Sequence, residues 1–278
     1  MKLINKKEIE PPQETYNLHI EQDHNYIAND AVVSNCHQAK ADVLTRLATQ
    51  NFKHCPIRWG LTGTIPKEDW EFQSLLASIG PVIGQVSAYD LQEKGVLANL
   101  NINILQTVDI EVFKNFQDEY AWLVTDQKRI EWVSTKIKEF VQTGNTLVLV
   151  NRIDTGNKLK ELIPDAVFIS GSVKLDDRKD EYDEIKTSSD KVIVATYGVA
   201  AVGINIPRVF NLVLIEPGKS FVRVIQSIGR GIRKAEDKDF VQIWDITSTC
   251  KYSKKHLTER KRYYKEARYP FTITKVTL

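Results

Sequence analysis

Two stretches of the 278-residue sequence carry residue types whose spacing could do chemistry. At Ser34-Asn35-Cys36 a side-chain amide precedes a thiol. The Asn35 amide nitrogen can attack its own main-chain carbonyl, closing a succinimide and breaking the backbone. The Cys36 thiol can accept an acyl group by thioester exchange. The same dipeptide is common where no such reaction occurs. Residues 226–233 read Gln-Ser-Ile-Gly-Arg-Gly-Ile-Arg, with Arg230 and Arg233 three apart and so on one face of a helix. Two guanidinium groups there could clamp a terminal phosphate and stabilise its charge during transfer, and Gly229 would let another backbone come close. As isolated surface ion pairs they would be worth little.

A phosphate site would need more. Gly218-Lys219-Ser220 lies between a strand and a helix, but residue 213, where a phosphate loop needs its first glycine, is Val. Ser220 is therefore expected to cap the helix that follows. No apolar strand ends in an Asp-Glu pair suited to magnesium, and Asp118-Glu119, Asp180-Glu181 and Asp183-Glu184 are expected to be solvated. Taken alone, the chain holds no complete nucleotide site. Three Cys without pairing or Cys-x-x-Cys spacing exclude a disulfide scaffold and zinc, so no metal ligand is assigned. No apolar run is long enough for a membrane span, and MKLINKKEIEPP lacks the apolar stretch of a signal peptide. A cytoplasmic location without a membrane partner is expected.

The elements that must position these groups are legible as periodicity. Residues 146–150, 166–170, 191–195, 211–215 and 241–245 are near-continuous apolar strands; 155–163, 175–187 and 219–233 are helical. A longer helical pattern covers about 119–142. Such alternation predicts an α/β domain with a parallel sheet covered on both faces. Residues 36–103 offer one clear strand, 57–61, and helical patterns over 39–50 and 69–79, too little for a closed domain. Residues 1–35 have short period-two runs around Tyr16–Ile20 and Ala31–Val33, which predict small β units. The net charge is only +2, yet 251–268 hold eight Lys/Arg against two Glu, with Tyr252, Tyr263 and Tyr264 interleaved and Tyr269 just beyond. That run is either the solvated face of a helix or a phosphate-contacting one.

The combination resembles the superfamily-two helicases. TGT at 62–64 looks like their motif III, TLVLVNR at 146–152 like motif IV, ATYGVAAVGINIP at 195–207 like motif V, and QSIGRGIR at 226–233 like motif VI, Q-x-x-G-R-x-x-R. The TYG form of motif V and the tail KHLTERKRYYKEARYPF are similar to the branch-migration and recombination-repair helicases of T-even-type phages. The resemblance implies two RecA-like lobes closing on ATP and Mg2+, with Arg230 and Arg233 as fingers from the second lobe. Gln226, Gly203 and Asn205 would contact nucleotide; Asn205 stands where many relatives have Asp. Thr62, Thr64, Asn151, Arg152, Thr196, Lys254, Lys255 and Arg260 would contact DNA. Motif II in these helicases is Asp-Glu-x-His, and Cys36-His37 matches its second half, with His37 beside the nucleotide and the Asp-Glu missing.

The residues before that break, YNLHIEQDHNYIANDAVVSNC, resemble the C-terminal blocks of inteins, especially naturally split ones. The resemblance implies that Asn35 cyclises, that Cys36 begins the retained segment and that His24 assists by proton transfer. Ser34 replaces the commoner penultimate His, as in cyanobacterial split polymerase inteins. Asn17 stands where most relatives have Asp and cannot shuttle a proton at neutral pH.

The expected organisation is a HINT-type intein fragment over 1–35, the end of helicase lobe one over 36–103, a complete second lobe over 104–250 and a basic tail over 251–278. The expected function is that of a precursor which splices in trans, without a cofactor, to rebuild an ATP-dependent DNA helicase. The partner is an N-terminal half-protein carrying the N-intein, the phosphate loop and the magnesium carboxylates, and the lone chain hydrolyses no ATP. The alternative is a non-catalytic nucleic-acid-binding lobe with a vestigial front segment.

Overall fold

In the computed structural model, residues 25–28, 31–35, 46, 49–50, 53–54, 57–61, 65, 69–170, 188–202 and 208–278 are described. Chain contacts divide the protein into two units, Met1–Ile83 and Gly84–Leu278. The expected helices over 39–50 and 175–187 lie largely or wholly outside the described residues.

The first unit contains β1 (Asn25–Ala28), β2 (Ala31–Asn35), β3 (Ile57–Leu61) and helix α1 (Asp69–Ser78). Strands β1 and β2 form an antiparallel hairpin. Strand β2 then pairs in parallel with β3, Ala31 opposite Ile57 and Asn35 opposite Leu61. One three-stranded sheet therefore runs across the boundary expected at 35/36. Helix α1 stops where Gly80 adopts φ +125°, as Gly80-Pro81 foretold.

The second unit begins with α2 (Ala88–Glu93), whose N-cap Ser87 and third residue Asp90 form a reciprocal capping box. It continues with β4 (Asn99–Thr107), α3 (Phe116–Leu123), α4 (Gln127–Phe140), β5 (Thr146–Val150), α5 (Ile153–Leu162), β6 (Val167–Ile169) and β7 (Val192–Thr196). Next come α6 (Tyr197–Val202), β8 (Asn211–Ile215), α7 (Phe221–Gly231), β9 (Phe240–Ser248), α8 (Lys251–Glu266) and β10 (Phe271–Val276). The seven strands form one sheet in the order β10-β4-β9-β8-β5-β7-β6, and every neighbouring pair is parallel.

The apolar runs explain the layering. Side chains alternate faces along a strand, so TLVLV in β5 sends Leu147 and Leu149 one way and Val148 and Val150 the other. Ile130, Val133 and Ile137 of α4 and Leu159 of α5 cover one face. Val224 and Ile228 of α7 with Leu257 and Tyr264 of α8 cover the other. Burying each large aliphatic side chain contributes roughly 1.5–3 kcal/mol, which is why β5, β7 and β8 are near-continuously apolar.

Three expectations need correction. The single helix over 119–142 is two helices, because Asp126 caps α4 by accepting from the Arg129 main-chain N–H at 2.9 Å. The lobe does not begin at residue 104: that position lies inside β4, which starts at Asn99 and pairs with β9 along its whole length. Residues 251–278 are not an appended tail either, since α8 packs on the sheet and β10 supplies its seventh strand.

Helix α8 also corrects Arg260. The side chain expected on DNA is fully buried, with Nε and Nη2 on the two carboxylate oxygens of Asp245 at 2.8 and 2.9 Å and Nη1 on the Gly218 carbonyl at 2.8 Å. Tyr264 donates to the same carboxylate at 2.8 Å. Tyr263 and Tyr269 are buried as well, so three of the interleaved tyrosines are core, not a stacking platform. The run Ser253, Leu257, Arg260, Tyr264 follows the helical repeat and faces inward, which forces Arg260 into the interior. Removing one member of a buried pair strands the other charge. Arg260→Ala is expected to lower unfolding stability by roughly 3–5 kcal/mol, read by urea denaturation; a loss below about 1 kcal/mol would contradict the arrangement.

Candidate functional site

All strands of the lobe are parallel, so β5, β7 and β8 end along one edge of the sheet, where α/β proteins bind ligands. The residues leaving β5 are Asn151 and Arg152; β7 ends in Thr196, and β8 is followed by Glu216. Asn151 contacts the Glu216 carbonyl through Nδ2 at 3.5 Å and accepts from Arg223 Nη1 at 2.8 Å. The exposed Arg223 guanidinium also lies 5.4 Å from the centre of the Tyr197 ring, and that of Arg152 lies 5.4 Å from the centre of the Tyr120 ring. Two cations are thus held against aromatic faces at the strand ends. Thr196 is partly exposed beside them.

This edge rests on a buried polar network. Glu216 adopts φ +42°, a left-handed conformation that is unusual for a side chain with a Cβ. Its carboxylate accepts from Arg129 Nη2 at 2.7 Å, and Arg129 lies 3.4 Å from Asp109 and contacts Thr107. Burial pushes the Glu216 carboxyl above the usual carboxylate range, against the opposing pull of Arg129. The Tyr197 hydroxyl is buried and finds no hydrogen-bond partner among the described residues, and burial raises its pKa well above the ordinary phenol value.

The arginine-bearing segment sits on the next element. Ser220 caps α7 as expected, its hydroxyl accepting from the Arg223 N–H at 3.4 Å. Gln226 is partly exposed in mid-helix, and Arg230 lies in the last turn with its side chain outside the described residues. The helix ends at Gly231, so Arg233 does not share its face with Arg230 as the spacing suggested; it forms an isolated antiparallel bridge with Leu97. Gly231 is closely packed: a Cβ there would sit 3.1 Å from the Leu212 side chain, which would have to give by a few tenths of an ångström. A Cβ on Gly229 would meet nothing within 4 Å among the described residues. Arg233 is partly exposed, and burial lowers its pKa, though an arginine stays charged.

The third cluster is the outer face of α8. Lys254 and Lys255 are exposed, with Lys251, Arg262 and Lys265. The helix start is fixed by Glu119, expected to be solvated but buried here, whose carboxylate accepts from the Tyr252 and Ser253 main-chain N–H groups at 2.9 and 2.6 Å. A negative group at a helix N-terminus satisfies orphan donors and complements the dipole. No signal in the sequence separates Glu119 from any other helical Glu.

His24, Cys36, His37, Thr62, Thr64, Gly203 and Asn205 lie outside the described residues, and Asn35 is placed by its main chain at the end of β2. Among the described residues no group of three or more His, Cys, Asp or Glu is arranged to hold a metal ion. No described helix is long and apolar enough to cross a membrane.

Comparison with known proteins agrees with this architecture. Residues 128–235, which include β5 and the arginine segment, match the helicase conserved C-terminal domain family. The lobe thus has the RecA-like fold of helicase C-terminal domains. The chain is 24% identical over 239 residues to the ATP-dependent DNA helicase uvsW of Enterobacteria phage T4, covering 82% of this chain and 47% of that protein. It is also 25% identical over 240 residues to a putative helicase 22 of a Sulfolobus islandicus filamentous virus, covering 79% and 42%. The chain spans about half the length of these curated relatives. In fold it is similar to the crystal structure of T4 UvsW, with a TM-score of 0.57 at 21% identity over 88% of this chain and 53% of that one. A fragment of a putative HsdR subunit of a type I restriction enzyme from Vibrio vulnificus gives 0.68 at 17% identity over 89% and 48%.

Because two main-chain donors at the start of α8 depend on one carboxylate, Glu119→Ala is expected to cost about 1–3 kcal/mol. Urea unfolding measures the loss, and an unchanged midpoint would show that water replaces the cap.

Proposed function

We propose that this chain supplies the arginine-bearing lobe of an ATP-dependent superfamily-two DNA helicase, and that residues 1–35 are removed from it by protein splicing at the Asn35–Cys36 bond. The observation that carries the first part is the placement of Gln226, Arg230 and Arg233 along and just past one helix, inside the segment matched to the helicase C-terminal domain. Arg230 and Arg233 contact the terminal phosphate of ATP and stabilise its developing charge, and Gln226 contacts the nucleotide. His37, Gly203 and Asn205 complete the nucleotide contacts from this chain. DNA is gripped through Asn151, Arg152, Thr196 and the exposed Lys254 and Lys255, with Thr62 and Thr64 linking hydrolysis to DNA. Magnesium has no cluster among the described residues to hold it; Asp-Glu carboxylates preceding Cys36-His37 in the mature helicase are its proposed ligands.

Splicing restores that pair. The partner polypeptide carries the N-intein, the phosphate loop and Asp-Glu. Its acyl group passes to the Cys36 thiol, Asn35 cyclises and releases residues 1–35 as a succinimide, and the freed Cys36 amine takes the acyl group from sulfur, forming the new peptide bond. His24 assists the cyclisation by proton transfer. What supports this is the residue pattern of the front segment, Asn35-Cys36 together with His24.

A second reading is favoured by one observation. Strand β2 pairs in parallel with β3 and leads directly to Cys36-His37, so Ser34-Asn35 occupy the place of Asp-Glu at the end of a lobe strand. If residues 31–35 stay there, the chain is a non-catalytic nucleic-acid clamp.

Mixing this chain with the N-terminal half-protein and weighing the products decides between the two. Splicing yields a ligated helicase and a free 1–35 fragment; Cys36→Ala abolishes the ligated mass. Unchanged masses, with tight and steeply salt-dependent DNA binding by the lone chain, establish the clamp. In the ligated helicase, Arg230→Ala and Arg233→Ala each leave ligation intact and lower ATP turnover by about 10³-fold or more. Turnover at the parental rate would remove the arginines from the chemistry.

A further inference from the structure

We infer that Lys238 is the positioning residue for the arginine-bearing turn: its side-chain nitrogen donates to the main-chain oxygens of Gly231 and Arg233 and sets the path from which Arg233 projects. This rests on Arg233 contacting nucleotide, as proposed above. The sequence gives Lys238 no distinction, since Ala235-Glu236-Asp237-Lys238-Asp239 has the composition of a solvated turn. In the fold it is 2% exposed, with Nζ at 2.5 Å from the Gly231 oxygen and 2.8 Å from the Arg233 oxygen.

The geometry answers a specific deficit. The last carbonyls of α7 have no helical partner, and the chain turns sharply after Gly231, so one of them would be buried and unsatisfied. An ammonium group is suited to this place because it carries three donors and a charge that complements a helix C-terminus. Its own backbone is fixed by reciprocal main-chain bonds with Ala235, at 3.3 and 3.1 Å. The opposite side of the turn is held by the bridge between Arg233 and Leu97 and by the Ala98 N–H, which donates to the Ile232 carbonyl at 2.9 Å. Residues 231–233 are therefore gripped from two directions by groups more than a hundred residues apart in sequence on one side and only five to seven on the other.

Electrostatics fit the same role. Asp237 and Asp239 flank Lys238, and Asp237 is paired to Arg208 at 2.7 Å. Burial lowers the lysine pKa to about 8, with Asp237 opposing, so the side chain remains mostly an ammonium at neutral pH. Releasing the turn returns Lys238 to water, where it binds its proton more tightly. By linkage, opening of the turn must become less favourable as pH rises from about 8 toward the ordinary lysine range.

The test compares Lys238→Met, Lys238→Arg and the parent chain by amide hydrogen exchange, corrected for the intrinsic pH dependence of exchange. In Lys238→Met the Ala98 amide and the amides of 232–236 should exchange about tenfold faster, and the pH slope above 8 should vanish; Lys238→Arg should restore much of the protection. In the ligated helicase Lys238→Met should lower kcat for ATP by about 10- to 100-fold with KM for ATP within about twofold, and Lys238→Arg should recover part of kcat. Exchange in Lys238→Met identical to the parent at these amides overturns the inference. So does a parental kcat where Arg233→Ala is inactive. If Arg233→Ala itself turns over ATP normally, the functional reading fails while exchange still judges the clamp. Should Lys238→Met not fold, Lys238→Ala, which removes the donors and leaves room for water at the two carbonyls, takes its place in both measurements with the same outcomes.

Discussion

The lobe depends on one buried charge. Arg260 enters the interior from α8 and meets Asp245 on the central strand β9, and its third contact is the Gly218 carbonyl in the loop that leads into α7. Three elements are thereby fixed with respect to one another: the basic helix, the sheet and the start of the arginine-bearing helix. The Tyr263 hydroxyl adds a bond to the Lys219 carbonyl in the same loop at 3.1 Å. A buried ion pair is no guarantee of high stability, because desolvating both partners costs nearly what their attraction returns. It is, however, intolerant of misalignment. An α8 rotated by one residue would leave both Asp245 and Arg260 unpaired, so the pair sets the register that keeps Lys254 and Lys255 outward.

How much of this was legible in sequence follows from what each element answers to. The central strands were legible because burial on both faces demands continuous apolar runs, and β5 and β8 begin and end where those runs do. Ser220 was legible because capping is local chemistry. Strand β4 was missed: NLNINILQT alternates Asn with Leu and Ile, and its role as a sheet member is decided by β9 and β10, not by its own residues. Arg260 and Glu119 were misjudged for a related reason. Charged residues in helices are ordinarily solvated, and only the placement of Asp245 and of the α8 amides makes these two internal. The likeness to helicase motifs assumed that Arg230 and Arg233 share one helix, which stops at Gly231, two residues before Arg233.

The front of the chain is where local and global signals conflict. Asn35-Cys36 with His24 resembles a self-cleaving junction in residue type, whereas β2 sits between β1 and β3 in a mixed sheet, paired in parallel with β3. The conflict has a physical basis. AVVSN is a short apolar strand that can satisfy its backbone against any open parallel edge, and β3 offers one. A strand of only five residues makes few ladder bonds, which is a weak specification of register.

The arginine turn carries that logic to the end of α7. In the proposed role Arg233 could not hang from a freely moving loop, because such a contribution comes from being in place before charge develops. A continuous helix would hold Arg233 rigidly but aim it along the row defined by Arg230. Ending the helix at Gly231 and bracing the next two residues gives a different direction with comparable stiffness. The glycine admits the close packing on Leu212, Leu97 and Ala98 supply one wall, and the ammonium of Lys238 occupies the carbonyls that the broken helix leaves open. Rigidity at this point is thus built from main-chain oxygens and one buried cation, which explains why motif likeness locates the arginines and says nothing about what holds them.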